Sequence, residues 1–348
     1  MKWKAIGMFI NEETFLEFSI RSTIDFVDEM ILLEGSTPHT YFSSPYGLST
    51  DRSANIVREL QLEYPGKIKF VQVGWVPSKN VLRQMSLNFA TRELPPEAIL
   101  ILDLDEVWDP DDLKRADEHF TKDPDLQYLH CDLIQLRGDF QHYRDMSTGE
   151  QEHDLYNEQA KKQTIETRNG VKLRQGRTAE RLFRWEPGMH YHASHVTICD
   201  ATGRFPYIDP AYLHRREADM SIKFWHYNYL KPFPHVVSKF CYFAQQDAGL
   251  PRNDPKMLDR ALSEGYIEYL RTGKHPKGDW AVSPLPSNLV HPEIMKSHPY
   301  YSMGEREIVD PAGEWIPTEG EYDRERVMAM LQEASHYVAP SYVKGMTP

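Results

Sequence analysis

The first 102 residues alternate short apolar runs with amphipathic stretches, and few architectures accept that alternation. Residues 4–10 form an apolar run closed by Asn11-Glu12-Glu13, after which Phe15, Phe18 and Ile24 recur at helical spacing. Residues 29–33 read as a second buried strand, closed by the turn Gly35-Ser36-Thr37-Pro38. Thr50 or Asp51 caps a helix running through Ile56, Val57, Leu60 and Leu62, stopped by Pro65-Gly66. A third strand over 68–73 and a helix opened by Ser78, through Leu82, Met85 and Phe89, precede a fourth strand over 98–102. Strands joined through helices pair in parallel with right-handed crossovers, so the pattern predicts an α/β fold with a mostly parallel sheet and helices on both faces. Ligands of such sheets bind beyond the carboxyl ends of the strands. The polar residues at those ends are Asn11, Glu12, Glu34, Asp103 and Asp105, which places them on one rim.

Downstream, a helix from Asp109 with Pro110 in its first turn leads to a strand over 127–136. Residues 140–180 are polar and weakly periodic, as in an insertion or mobile loop. Strand character returns at 181–185; residues 236–244, 257–270 and 323–334 read as helices. The Pro- and Gly-rich stretch 275–320 is expected to wrap the surface. The chain thus divides into an α/β ligand-binding half (1–136), a second half of the same domain (137–245) and a helical and irregular C-terminal extension (246–348).

The sharpest chemical signal is Ile99-Leu100-Ile101-Leu102-Asp103-Leu104-Asp105-Glu106. A buried strand delivers two carboxylates, one residue apart, at its exposed end. Hard oxygen ligands of this kind hold Mg²⁺ or Mn²⁺, which in turn holds a diphosphate. A strand that merely ends in solvated or helix-capping acids has the same sequence. Either way Asp105 is expected to contribute little to packing, and its removal to leave the fold intact.

The sequence around this motif resembles the GT-A glycosyltransferases, most closely the family 2 enzymes. Asn11-Glu12-Glu13 is similar to that family's opening N-E-E, which borders the nucleotide pocket. The stretch from Asp28 to Thr37 is similar to its second strand, with Glu34 where the family carries Asp. Leu82-Arg83-Gln84 sits at its Ala-Arg-Asn, which implies that Arg83 faces the diphosphate. Arg181-Leu182-Phe183-Arg184 is similar to the R-L-F-R strand of one bacterial subgroup. Phe224-Trp225-His226-Tyr227 resembles the later segment whose histidine completes the metal site. The resemblance covers roughly residues 4–245. It implies a GT-A (Rossmann-like) fold, with Asn11, Glu12, Glu34, Arg83 and Asp103 around the donor. It also implies Mn²⁺ or Mg²⁺ on Asp103, Asp105 and His226. The activity implied is hexosyl or pentosyl transfer from a nucleoside-diphosphate sugar, by family habit a UDP-sugar. The acceptor is left open among a glycan, a lipid-linked glycan, a protein and a nucleobase. The subgroup's His-Glu after R-L-F-R is missing, since His195 is followed by Val196. Asp209 is set instead against the E-D-x-x-L-x-x-R pattern of other members, of which Asp209 and Arg215 have the spacing, and is the candidate general base, with Asp200 and Glu217 as alternatives. Asp209 before Pro210 equally reads as a helix cap.

Composition removes several other classes. A net charge of −12 disfavours non-specific binding to nucleic acid or anionic membrane, although the basic strip between Arg168 and Arg184 runs against that trend. Three dispersed cysteines suit a reducing compartment, and the first apolar run breaks at Asn11-Glu12, too early for a signal peptide. No stretch reaches the length of a membrane span, so the expected location is the cytoplasm. Two alternatives remain. A haloacid-dehalogenase-type phosphatase carries D-x-D-x-(T/V), but on its first strand. A non-catalytic carbohydrate-binding protein has no need of the rim acids together with Arg83 and His226.

Overall fold

The computed structural model describes residues 1–38, 40, 43–143, 164–174, 180–192, 198–206, 209–232, 235, 283–304, 307–308, 325–326 and 329. The apolar runs become β1 (Trp3–Phe9), β2 (Glu29–Ser36), β3 (Ile68–Trp75) and β4 (Ala98–Asp103). The amphipathic stretches between them become α1 (Leu16–Thr23), α2 (Ser53–Glu63) and α3 (Lys79–Thr91). Each helix returns the chain to the starting edge, so all four strands are parallel, in the order β3-β2-β1-β4. The register sets Glu34 beside Phe9 and Asp103 beside Met8, which aligns the carboxyl ends.

The period of two then sorts side chains between layers. Trp3, Ala5, Leu32, Leu100 and Leu102 pack with α1, with α2 and with Leu113, Ala116 and Phe120 of α4 (Pro110–Lys122). Ile6, Ile31, Leu33, Ile99 and Ile101 meet Leu82, Leu87 and Ala90 of α3 on the other face. Burial of each large aliphatic side chain here contributes about 1.5–3 kcal/mol. Leu62 does not join this core and is 84% exposed. Two residues past Leu60, it lies about 200° around the helix from the Ile56–Val57–Leu60 stripe.

The sheet continues beyond the parallel block to ten strands. β5 (Glu106–Trp108) follows β4 almost at once, and β6 (Tyr128–Arg137) follows α4. β7 (Asp139–Tyr143) turns back along β6, while β8 (Thr164–Glu166) and β9 (Lys172–Arg174) form a separate hairpin. β10 (Leu182–Arg184) inserts antiparallel between β4 and β6. β11 (His190–Tyr191) and β12 (Ile198–Cys199) form another hairpin. β13 (Arg216–His226) runs parallel to β6 and antiparallel to β5, and β14 (Ser283–Pro284) closes on β7. The reading of 140–180 as an unstructured insertion therefore needs correction at both ends. β7 is ordered because Phe140 is fully buried against Tyr227 and His291, a long-range contact with no local signature.

A second correction concerns 275–320, of which 283–304, 307 and 308 are described. Met295 and His298 are buried, and the His298 ring stacks on Phe15 at 4.6 Å, so this segment completes a core instead of only wrapping the surface. The expected helices at 236–244 and 257–270 lie outside the described residues, as does most of 323–334. Among the described residues no helix is long and apolar enough to cross a membrane. Asp103 ends the fourth strand of its sheet, which is not the first-strand position that the phosphatase alternative requires.

Candidate functional site

β4 delivers its acids to the rim in two different states. By alternation Asp103 follows Ile99 and Ile101 onto the α3 face, where the Arg83 charge acts on it. Its side chain is 37% exposed, and its Oδ2 accepts a 2.7 Å bond from Arg181 Nη2. Packing favours the neutral acid, but Arg181 and then Arg83 outweigh it and hold the Asp103 carboxyl below its usual range. Arg181 also grips Glu106 with two 2.7 Å bonds, and Glu106 is fully buried. Burial pushes the Glu106 carboxyl up, against the pull of Arg181.

Asp105 is only 5% exposed. Its Oδ1 lies 3.1 Å from His226 Nε2, and its Oδ2 accepts a 2.9 Å bond from Lys231 Nζ. The Tyr227 N–H donates to the Asp105 carbonyl at 2.9 Å, which ties the end of β13 to the motif. Lys231 reaches on to Glu12 Oε2 at 2.6 Å. The view of Asp105 as a solvated strand-end acid is therefore corrected. It is the node that joins β4, β13 and the loop after β1.

That loop is sewn to residues 49–53 by backbone donors. Asn11 takes a left-handed φ of 52°, which its short polar side chain tolerates. Its N–H donates to Ser49 Oγ at 3.1 Å and its Oδ1 accepts from Thr50 N at 2.8 Å. The Glu12 N–H donates to Ser53 Oγ at 2.8 Å. Glu34 lies two residues before the end of β2 on the same side but is 0% exposed, and its two oxygens accept from Ser49 N (2.7 Å) and Gln72 Nε2 (2.8 Å). It braces the 49–53 loop from inside, whereas Asn11 and Glu12 line the rim. Gly74 secures the outer side of this loop: it has φ +76°, and a Cβ there would meet the Tyr46 carbonyl at 2.6 Å.

The three base candidates are not brought to this place. β13 is parallel to β6, with Arg216 opposite Tyr128 and His226 opposite Gln135. Phe183 of β10 links Tyr128 to Ile99, so β13 begins level with the start of β4. β13 bulges between Asp219 and Lys223, so the seven steps of β6 from Tyr128 to Gln135, roughly 23 Å, separate that end from His226. Asp209 lies before it and caps the 3-10 helix Pro210–Arg215 through a 2.9 Å bond from Ala211 N. Asp200 closes a turn on Thr202 and Arg204 and accepts from the Tyr212 hydroxyl. Burial opposes its ionisation, but these bonds hold the Asp200 carboxyl at about 2. Glu217 pairs with Arg168 at 2.6 Å and His119 at 3.1 Å. The cause is topological: β13 carries residue 216 to one edge of the sheet and residue 226 to the other.

Arg181 and Glu106 stand in motifs that the sequence singles out but had no role assigned there, and Lys231 was passed over. Lys231 had one available signal, as a single charge in the aromatic run from Phe224 to Phe233. Glu180 was also missed. The Arg181 carbonyl accepts from Ile101 N, so antiparallel β10 brings Glu180 to the Asp103 end of β4.

Of the three expected metal ligands, the structure brings two together. Ligand bonds of about 2.1 Å meeting at right angles put the ligand atoms about 3 Å apart, and Asp105 Oδ1 and His226 Nε2 have that spacing. Asp103 faces Arg181 instead. Among the described residues no group of three or more His, Cys, Asp or Glu side chains is arranged around one cation position. That distance is also an ordinary hydrogen bond, so a cation bound there would have to replace it and draw its remaining ligands from outside the protein.

Four parallel strands in the order β3-β2-β1-β4, then an antiparallel β10 beside a β4 that ends in D-x-D, decide the architecture. The fold is of the GT-A type. The chain matches no protein-family model and no curated protein. Among solved structures, a fragment of S. aureus TarS in complex with UDP-GlcNAc is 14% identical, over 100% of this chain and 84% of that one, with a TM-score of 0.41. GalNAc-T7 with UDP, GalNAc and Mn²⁺ is 11% identical, over 76% of this chain and 54% of that one, at 0.39. The 4-diphosphocytidyl-2C-methyl-D-erythritol synthase from Anaerococcus prevotii is 12% identical, over 53% and 70%, at 0.27. At such scores the likeness decides nothing about chemistry, and the functional reading rests on the site itself.

Proposed function

We propose that this chain is a glycosyltransferase that takes a sugar from a nucleoside-diphosphate sugar, with Mn²⁺ or Mg²⁺ held by Asp105 and His226. The observation that carries this reading is the meeting of His226 and Asp105 on the rim that Asn11, Glu12, Asp103 and Arg83 also border. Strand ends of a parallel sheet are where such folds bind nucleotides. Asn11 and Glu12 lie where base and ribose contacts are made, and the Arg83 guanidinium suits the diphosphate because its planar fork matches phosphate oxygens. The bound cation would neutralise charge on the departing nucleoside diphosphate. The donor base, by the resemblance, is uridine; cytoplasmic residence and a UDP-sugar partner belong to the same proposal.

An inverting transfer needs a carboxylate that takes the acceptor hydroxyl proton. Glu180 is on the reacting edge, and Asp209 is at the other. Glu180→Gln is therefore expected to lower turnover by roughly 10²- to 10⁴-fold with donor affinity unchanged. Asp209→Asn is expected to leave both turnover and stability near wild type, because an asparagine oxygen accepts the Ala211 N–H and caps about as well as aspartate. Steady-state kinetics and thermal melts of both variants check this, and the opposite pattern would return the base to Asp209.

The reading as a whole is tested by titrating nucleoside diphosphates and their sugars into the protein, with and without Mn²⁺, and following the melting temperature. A bound ligand raises it by mass action. A panel of uridine, guanosine, cytidine and adenosine diphosphates that produces no shift under either condition overturns the proposal.

A further inference from the structure

We infer that Lys231 is a diphosphate-binding residue, a protein-borne cation that works beside the divalent ion; this rests on the nucleotide-sugar reading above. Lys231 lies five residues beyond the end of β13 and is 6% exposed. Its Nζ sits 2.6 Å from Glu12 Oε2 and 2.9 Å from Asp105 Oδ2, residues that lie 219 and 126 positions away.

Two features turn this tie into a binding site. The first is charge. Glu12, Asp103, Asp105 and Glu106 converge on the rim, and Arg181 and Lys231 each serve two of them. A diphosphate brought to four carboxylates without these cations would meet like charge in a poorly hydrated place, where repulsion is strong. The second is donor capacity. An ammonium has three N–H donors, and Glu12 and Asp105 take two, which leaves one for a phosphate oxygen. The same ammonium touches the carboxylate that His226 approaches, so a phosphate bound by Lys231 lies next to the Asp105–His226 pair. A purely structural lysine would pin the Glu12 loop equally for any ligand. A diphosphate-binding one discriminates between ligands with and without phosphate.

The experiment compares UDP with uridine, and GDP with guanosine, on wild type, Lys231→Met and Lys231→Arg. Calorimetry reads the diphosphates and competition reads the nucleosides, each in Mn²⁺ and in excess chelator. Lys231→Met is expected to lose roughly 10- to 100-fold in diphosphate affinity, the size of one charge-assisted bond, with nucleoside affinity nearly unchanged. Lys231→Arg is expected to recover most of the loss. In chelator the wild type is expected to keep a weaker diphosphate affinity that Lys231→Met lacks. If Lys231→Met does not fold, Glu12→Gln/Lys231→Met removes one of the two carboxylates left without the ammonium, Asp105 keeping His226, and the diphosphate-to-nucleoside ratio is read against Glu12→Gln alone. Equal weakening of diphosphate and nucleoside, or unchanged diphosphate binding, overturns the inference. A wild type that binds neither UDP nor GDP overturns the nucleotide-sugar reading itself, a different result.

Discussion

Asp105→Ala is expected to lower sugar transfer on the order of 10³-fold and to destabilise the protein at the same time. The catalytic loss follows from its place beside His226, where the variant leaves a single protein ligand for a cation. The stability loss follows from burial: the variant leaves the Lys231 ammonium inside the protein with Glu12 as its remaining carboxylate. Removing one member of a buried ion pair costs about 3–5 kcal/mol, and the surviving Glu12 contact puts this case near the lower bound. Asp103→Asn is the control. Asp103 is 37% exposed and Arg181 keeps Glu106, so about 1 kcal/mol or less is expected. Urea unfolding and a donor-transfer assay on both variants measure the contrast. Wild-type transfer by Asp105→Ala would remove the metal pair from the mechanism, and wild-type stability would mean that the Lys231 tie carries no energy.

Arg181→Met is expected to be the most destabilising single change at the site, by about 3–5 kcal/mol. Arg181 is the described partner of Glu106, which has no exposed surface, and it orients Asp103 with the same guanidinium. In the variant, burial raises the Glu106 carboxyl further, with no guanidinium to oppose it. A carboxyl whose folded pKa lies above its unfolded value is favoured while protonated. The loss is therefore smallest near pH ~4.3 and grows as pH rises through the folded pKa. Denaturant melts of Arg181→Met across this range should show stability relative to wild type falling with pH. Glu106→Gln/Arg181→Met should recover much of it, because no charge is then stranded. A pH-independent loss would assign the effect to lost packing of Arg181, whose guanidinium carbon lies 5.9 Å from the Phe224 ring centre.

The parallel block was legible because its signals are local. Periods of 2 and 3.6, the Ser78 cap and the Asp109-Pro110 start all act within a few residues of chain, and each became the expected element. The same locality placed Asp103 at a strand end and Asn11 and Glu12 at the turn after β1. Three- and two-residue strands such as β8 to β12 carry no readable period, and β7, although paired to the adjacent β6, is completed by Tyr227, His291 and β14, all more than eighty residues away.

What the sequence by itself determined is therefore the strand–helix alternation, the direction of the strands and the edge on which their ends collect. Tertiary structure alone decided which carboxylates face which cations. Glu34 turned inward and Asp105 became buried because β13 and the 49–53 loop close over them. Arg181 and Lys231 took up Asp103, Glu106, Asp105 and Glu12 across 75 to 219 residues of chain. Asp209, a plausible base by spacing, went to the far edge because strand direction, and not sequence distance, sets where a side chain arrives. Charge pairing of this kind depends on which strands become neighbours, and no local pattern of residues encodes it.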